Sequence, residues 1–207
     1  MTTTLRGGLS GLDANVDEAL NLQVCEVIPG YPTAGGFYTV AGKSGAAAIA
    51  AALATDTALM SMRLAAISTR RAYVHRIRVL MATLTAGAAG GVPSVLGLQR
   101  FATATPTGGT ARTASRLSAT KGSASDVTDI RDNNAALTVT GVVFGDEIAW
   151  SATPTNGALV STIDWVLEPK APIELSAGDG LVLRTRQVGP ATATWYFTYN
   201  IYWFERP

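Results

Sequence analysis

The stretch Thr194-Trp-Tyr-Phe-Thr-Tyr-Asn-Ile-Tyr-Trp-Phe-Glu205 decides the fold. It carries seven of the chain's fifteen aromatic residues: Trp195, Tyr196, Phe197, Tyr199, Tyr202, Trp203 and Phe204. Side chains on a strand alternate between faces. One face therefore holds Trp195, Phe197, Tyr199, Ile201 and Trp203, and belongs in a core. The other holds Tyr196, Thr198, Asn200, Tyr202 and Phe204. It is amphipathic, and too aromatic for a surface that meets only water. Tyrosine suits a wet interface, because its ring packs while its hydroxyl finds a partner. At ~3.3 Å per residue, Thr194 to Phe204 would extend ~36 Å, a length that suits the interior of a sheet.

The strand pattern continues upstream. Leu175-Ser-Ala-Gly-Asp-Gly-Leu-Val-Leu-Arg184 has a Gly-Asp turn followed by an alternating strand, and Gly189-Pro190 connects it to the aromatic stretch. Ala72 to Leu84 reads as one long strand. Strict alternation along it puts Tyr73, His75, Ile77, Val79 and Met81 on one face, and Arg76 and Arg78 on the other. Further strands are expected from Ala58, over Val95–Thr105 and Ala136–Thr140, around Ile148–Trp150 and over Leu159–Leu167. Residues 110–134 are polar and read as a long loop. Seven or eight strands separated by turns, with little helical periodicity, predict an all-β antiparallel sandwich. The order at its end resembles jelly-roll domains of the tumour necrosis factor-like and virion type, whose last strand lies centrally in a sheet. Residues 1–55 predict an extended N-terminal arm, rich in Gly and Pro up to residue 45, with a possible short helix over Gly45–Ala54 capped by Ser44. Residues 56–207 would then form the jelly-roll domain.

Composition narrows the function. The 207 residues are 47% hydrophobic and only 15% charged, with a formal net charge of +1. A core of good size is available, and no bulk field draws the chain to nucleic acid or membrane. Arginine outnumbers lysine thirteen to three, and arginine is the better interface cation. Cys25 is the only cysteine, so no intramolecular disulfide forms. The N-terminal stretch has no apolar signal-peptide core, and Ala46–Ala54 is too short to span a bilayer. A soluble protein, not exported by the general secretory route, is expected.

Chemical motifs are weak. Gly42-Lys43-Ser44 ends like a phosphate loop, but Phe37 stands where the first glycine is needed. Asp13-Ala-Asn15-Val-Asp17 opens like a calcium loop, but Glu18 and Val24 occupy the positions for the turn glycine and the bidentate glutamate. Asp126, Asp129 and Asp132 fit a polar surface loop better than an ion site. His75 is the sole histidine, and no Gly-x-Ser-x-Gly elbow is present. No enzymatic activity and no cofactor or metal are expected. Arg70, Arg71, Arg76 and Arg78 form a basic cluster without interleaved stacking aromatics. Salt bridges across a subunit interface are the leading reading, with acids such as those of Asp126–Asp132 in a neighbour as partners. Surface solvation is the alternative.

Three pieces of sequence carry a family resemblance: Gly36-Phe-Tyr-Thr-Val-Ala-Gly-Lys-Ser-Gly45 with the Ala-rich run after it, Arg71-Ala-Tyr-Val-His-Arg-Ile-Arg78, and Gly189-Pro-Ala-Thr-Ala-Thr-Trp195. Over residues 36–207 the chain resembles structural proteins of tailed-bacteriophage virions. The resemblance implies a jelly-roll decoration or cement subunit, often a homotrimer, or part of a fibre, assembled into virions in the host cytoplasm. Its partners would be copies of itself and the major capsid protein or other virion proteins, with no membrane and no direct nucleic acid. The expected subunit-interface residues are Arg70, Arg71, Arg76, Arg78, Tyr196, Asn200, Tyr202 and Phe204. The alternative is a receptor- or glycan-binding module of a tail or fibre.

Overall fold

A computed structural model describes residues 4–6, 13–16, 22–23, 36–43, 54–85, 94–102, 104–117, 123–132, 137–140, 142–152, 160–166, 172–187 and 194–207. The chain divides into two compact units, Met1–Thr33 and Ala34–Pro207. The first holds three short antiparallel strands, β1 (Thr4–Arg6), β2 (Asp13–Val16) and β3 (Leu22–Gln23), in the order β1-β2-β3.

The second unit is an all-β sandwich of two six-stranded antiparallel sheets. Its strands are β4 (Gly36–Lys43), β5 (Ala58–Leu64), β6 (Arg71–Thr85), β7 (Ser94–Ala102), β8 (Thr110–Arg112), β9 (Ser115–Arg116), β10 (Val127–Asp132), β11 (Val142–Ala152), β12 (Val160–Val166), β13 (Ile173–Leu175), β14 (Gly180–Thr185) and β15 (Thr194–Arg206). Sheet one runs β11-β7-β14-β5-β10-β8. Sheet two runs β12-β6-β15-β4-β9, with β13 also on β6. The sandwich thus begins earlier than residue 56. Phe37, Tyr38 and Val40 give β4 an alternating pattern, and the whole of β4 pairs with β15. Residues 36–43 of the expected arm thus belong to the sandwich, the described residues of 1–33 form paired strands, and the helix expected after Ser44 lies outside the described residues, apart from Ala54. The loop read over 110–134 contains β8, β9 and β10, whose turn-prone residues mask three short strands.

Eight strands form the framework, and they pair as a nested hairpin: β4 with β15, β5 with β14, β6 with β12, and β7 with β11. The segment between β7 and β11 is the turn of this hairpin, and β8–β10 are an elaboration of it. Residues 110–116 cross between the sheets. β8 pairs with β10 in sheet one, and β9 pairs with β4 in sheet two, closing one lateral side.

The core lies between the sheets. From β15 it takes Phe197, Tyr199, Ile201 and Trp203; from β6, Val74, Ile77 and Val79; from β5 and β14, Met60, Met62, Leu64, Leu181 and Leu183. Tyr38 and Trp203 stack at 5.8 Å within it. Gly42 is where it is because of Tyr199: a Cβ there would meet the tyrosine ring at 2.3–2.5 Å. Packing, not phosphate, explains the glycine before Lys43. The turn before β14 is closed by Asp179 N–H donating to Ser176 O at 2.9 Å, with Gly178 at φ +86°, as a type II turn requires.

Among the described residues two carboxylates are fully buried, and both tie β10 to sheet two. Asp132 accepts from Arg112 Nε at 2.6 Å, from the Lys43 backbone N–H at 3.3 Å and from the Tyr199 hydroxyl at 3.5 Å. Burial, before the Asp132 charge, pushes the Tyr199 hydroxyl far above its ordinary range. Glu205 accepts from the Asp126 backbone N–H at 3.0 Å, from Trp203 Nε1 at 3.1 Å and from the Ser125 hydroxyl, with Arg70 at 3.5 Å. A buried charge is tolerated only when it is paired and hydrogen-bonded, and both are.

Candidate functional site

The aromatic side of β15 that faces away from the core is the place to look for function. Its surroundings are set by a bulge. Tyr202 pairs with Arg76 and Trp203 with Val74, so His75 is the extra residue of β6. A bulge inserts one residue and reverses the side-chain phase beyond it. Ala72 and Val74 are buried before the bulge, Ile77 and Val79 after it. The outward positions are consequently Tyr73, His75, Arg76 and Arg78. This corrects the face expected from strict alternation, which put His75 and Tyr73 with Ile77 and Val79. The signal was present as the odd spacing from Val74 to Ile77.

The bulge gathers a cluster of rings from three adjacent strands. Phe204 stacks on Tyr73 at 5.0 Å and leans on Phe37 at 5.7 Å. His75 lies 6.2–6.3 Å from Phe37, Tyr202 and Phe204. The Arg206 guanidinium sits 4.9 Å over Phe204 and 5.4 Å over Tyr73, and that of Arg76 lies 5.9 Å over Tyr202. Phe204 is buried by this packing, whereas Phe37, Tyr73, His75, Asn200 and Tyr202 are only half-buried. Burial first, and then the Arg76 charge, pulls the His75 pKa below its ordinary value, so the imidazole is neutral at pH 7. Its Nδ1 is buried without a hydrogen-bond partner.

No protein-family model, curated protein or solved structure matches this chain.

The basic cluster has in-chain acids beside every member. Arg76 holds Asp164 of β12 bidentately at 2.9 and 2.6 Å, and Arg78 reaches the same carboxylate at 3.3 Å. The Arg76 hydrogen bonds, ahead of its charge and that of Arg78, keep the Asp164 carboxyl below the usual carboxylate range. Arg71 pairs with Glu174 of β13. Arg70 turns to the opposite side of the chain end, where it donates to Ala124 O at 3.1 Å and lies 3.5–3.6 Å from Glu205 and Asp126. The acids expected from a neighbour thus come from the same chain, and the cluster's first role is to join β6 to β12 and β13. Arg76 and Arg78 remain on the ring-bearing face; Arg70 does not. Asp126, Asp129 and Asp132 answer to different arginines, Arg70, Arg131 and Arg112, and do not converge.

Of the expected interface residues, Arg76, Arg78, Asn200, Tyr202 and Phe204 share the outer face of sheet two. Tyr196 pairs with Ala82 in the β15–β6 register, and its side chain lies outside what is described. Sequence reading did not single out Phe37, Tyr73, Arg206 and Asp164 for this face. Arg206 is the next arginine beyond Phe204, and Asp164 is the acid in the strand beside the arginines.

Proposed function

We propose that the chain is a structural subunit of a virion, of the decorating or cementing kind, that associates with copies of itself through the outer face of sheet two. The observation that carries this reading is the ring cluster of Phe37, Tyr73, His75, Tyr202 and Phe204, half-open to water and flanked by guanidinium groups. Rings and arginine are the residue types enriched at the centre of protein interfaces. On this face Arg76 and Arg78 share the one carboxylate of Asp164, which leaves positive charge that an acidic group of a partner can meet. The nested pairing of the eight framework strands supports a jelly-roll reading of the sandwich, an architecture common in viral capsids. An architecture alone does not fix a function, so the weight rests on the face.

In this reading a closed ring of subunits, a homotrimer, uses the face of sheet two for self-contact. The Met1–Thr33 unit supplies a second contact, to the major capsid protein or another virion protein. Light scattering coupled to size exclusion tests the self-contact. The wild-type chain runs as a homo-oligomer at micromolar concentration, and Tyr202→Asp runs as a folded monomer. A wild-type chain that stays monomeric throughout that range overturns the proposal.

A further inference from the structure

A second feature lies away from the ring cluster. Where residues 110–116 cross from sheet one to sheet two, a cavity of about 410 Å³ opens between this crossing and the start of β10. Its lining includes Arg112, Arg116, Thr113, Thr128 and Ser125, with the buried Val127, and no acidic residue among the described residues. The size falls within the range of small-molecule sites.

Both walls are held in place by the buried carboxylates. On one wall, Asp132 grips Arg112 through Nε at 2.6 Å. A guanidinium has five donors in a rigid fork, so this bond fixes the group while occupying one of them. The same bond keeps Arg112 firmly protonated. On the opposite wall, Glu205 accepts from the Ser125 hydroxyl and from the Asp126 backbone N–H, and Ser125 Oγ accepts from Val127 N–H at 3.0 Å. Ser125 is therefore a fixed support, not a free donor. Arg116 at the mouth supplies a positive charge on an exposed side chain, and the exposed Thr113 and Thr128 supply hydroxyls. Such a lining offers many donors and few acceptors. Side chains held by supporting hydrogen bonds bind at low ordering cost.

We propose that this cavity binds a small organic anion, a carboxylate or phosphate carried on a polar body the size of a sugar. The anionic group is received by Arg116 and Arg112, because a guanidinium fork matches both oxyanions in two-point hydrogen bonding. The sugar-sized body meets the hydroxyls of Thr113 and Thr128. The volume exceeds what a lone oxyanion needs, since a water fills only about 30 Å³ of liquid. The site is independent of the self-association face, so either proposal can fail without the other.

Isothermal titration of the full chain with glucuronate, glucose 6-phosphate, glucose and inorganic phosphate tests the proposal. Glucuronate, glucose 6-phosphate or both bind, and the one that binds names the preferred anionic group. Arg116→Ala weakens that binding about tenfold, the loss of one charged contact. Thr128→Val, at an exposed position, weakens it less and leaves the melting temperature unchanged. Three results overturn the proposal: no binding by either sugar anion, equal binding of neutral glucose, or affinity unchanged in a folded Arg116→Ala. Binding of inorganic phosphate with neither sugar anion overturns it as well, because that marks an adventitious ion only.

Discussion

The two outer faces of the sandwich receive opposite treatment. The outer face of sheet one carries Ala58, Phe101 and Val182, and the chain covers it with Ala104, Leu137 and Val139. A bridge from Thr107 to Thr138 and a bond from Arg184 to Val139 O at 2.9 Å hold that cover down. Phe101 reaches zero exposure as a result. The outer face of sheet two carries more rings, yet Phe37, Tyr73, His75 and Tyr202 keep part of their surface in water. Aromatic area is equally unfavourable in water on either face. The proposed self-contact would give the half-open face the cover that the chain itself gives the other. The types of side chain agree: the covered face uses Phe101, whereas the half-open one sets Tyr, His and arginine, side chains that tolerate both water and a partner, beside Phe37 and Phe204.

The largest effect should come from the covered face. Phe101→Ala removes a fully buried ring and is expected to cost about 3–5 kcal/mol of stability. Urea unfolding reads it, and the association state of the folded fraction stays as in the wild type. If Phe101→Ala instead changed association at unchanged stability, the contrast between the faces would collapse. The cover itself depends on the long excursion between β7 and β11, which Asp132 anchors. Asp132→Asn leaves Arg112 without its charged acceptor and is expected to cost about 2–3 kcal/mol. Hydrogen exchange should quicken at Thr107 and Thr138 together. Faster exchange confined to the neighbourhood of Asp132 would show that the cover stands without that anchor.

The covered and half-open faces were not equally legible in the sequence. β15 was read correctly because its period of two is unbroken from Phe197 to Trp203 and its inner residues are all apolar. Its interior position followed from its length. β6 was misread because a single added residue at His75 reverses every later side chain, and strict alternation cannot represent that. β8–β10 were missed because Thr110–Asp132 is polar and turn-rich, and these strands draw their stability from partners far away in sequence: Arg112 and Lys43 meet at Asp132, and Ser125 meets Glu205. The buried roles of Asp132 and Glu205 were invisible for the same reason, since each depends on donors from other strands. The basic cluster was visible as a cluster. Its acids, Asp164 and Glu174, lie some 90 to 100 residues downstream and are brought to it only by the β12–β6 and β13–β6 pairings. The cover over Phe101 had no sequence signal beyond scattered apolar residues.

On the half-open face, stability and association should separate. Tyr202→Ala removes a half-buried ring and is expected to lower stability by about 1 kcal/mol, far less than Phe101→Ala. Its association should nonetheless fall by more than the folded fraction does, as read by sedimentation across a concentration series. Loss of stability equal to that of Phe101→Ala would mean that the face is a core after all.

The smallest effect is a pH dependence located at His75. In the folded chain its pKa lies below the ordinary 6.5, because burial and the Arg76 charge oppose a proton. The unfolded chain therefore binds that proton more readily, and stability rises with pH wherever the unfolded state holds more protons. Folding is thus at full strength above the unfolded pKa. It weakens as the pH falls from that value towards the lower folded one, and levels off below it. Protonated His75 would add a cation to a face where Arg76 and Arg206 already lie over Tyr202, Phe204 and Tyr73, with Asp164 bound to Arg76 on the neighbouring strand. Association should weaken over the same interval, because a buried face receives a charge with no free acid to meet it. His75→Phe keeps a ring at the bulge and removes the proton site, so both slopes should flatten between neutral and mildly acidic pH. A slope that persists in His75→Phe would assign the titration to another group, and the half-open face would then differ from the covered one in exposure but not in its response to protons.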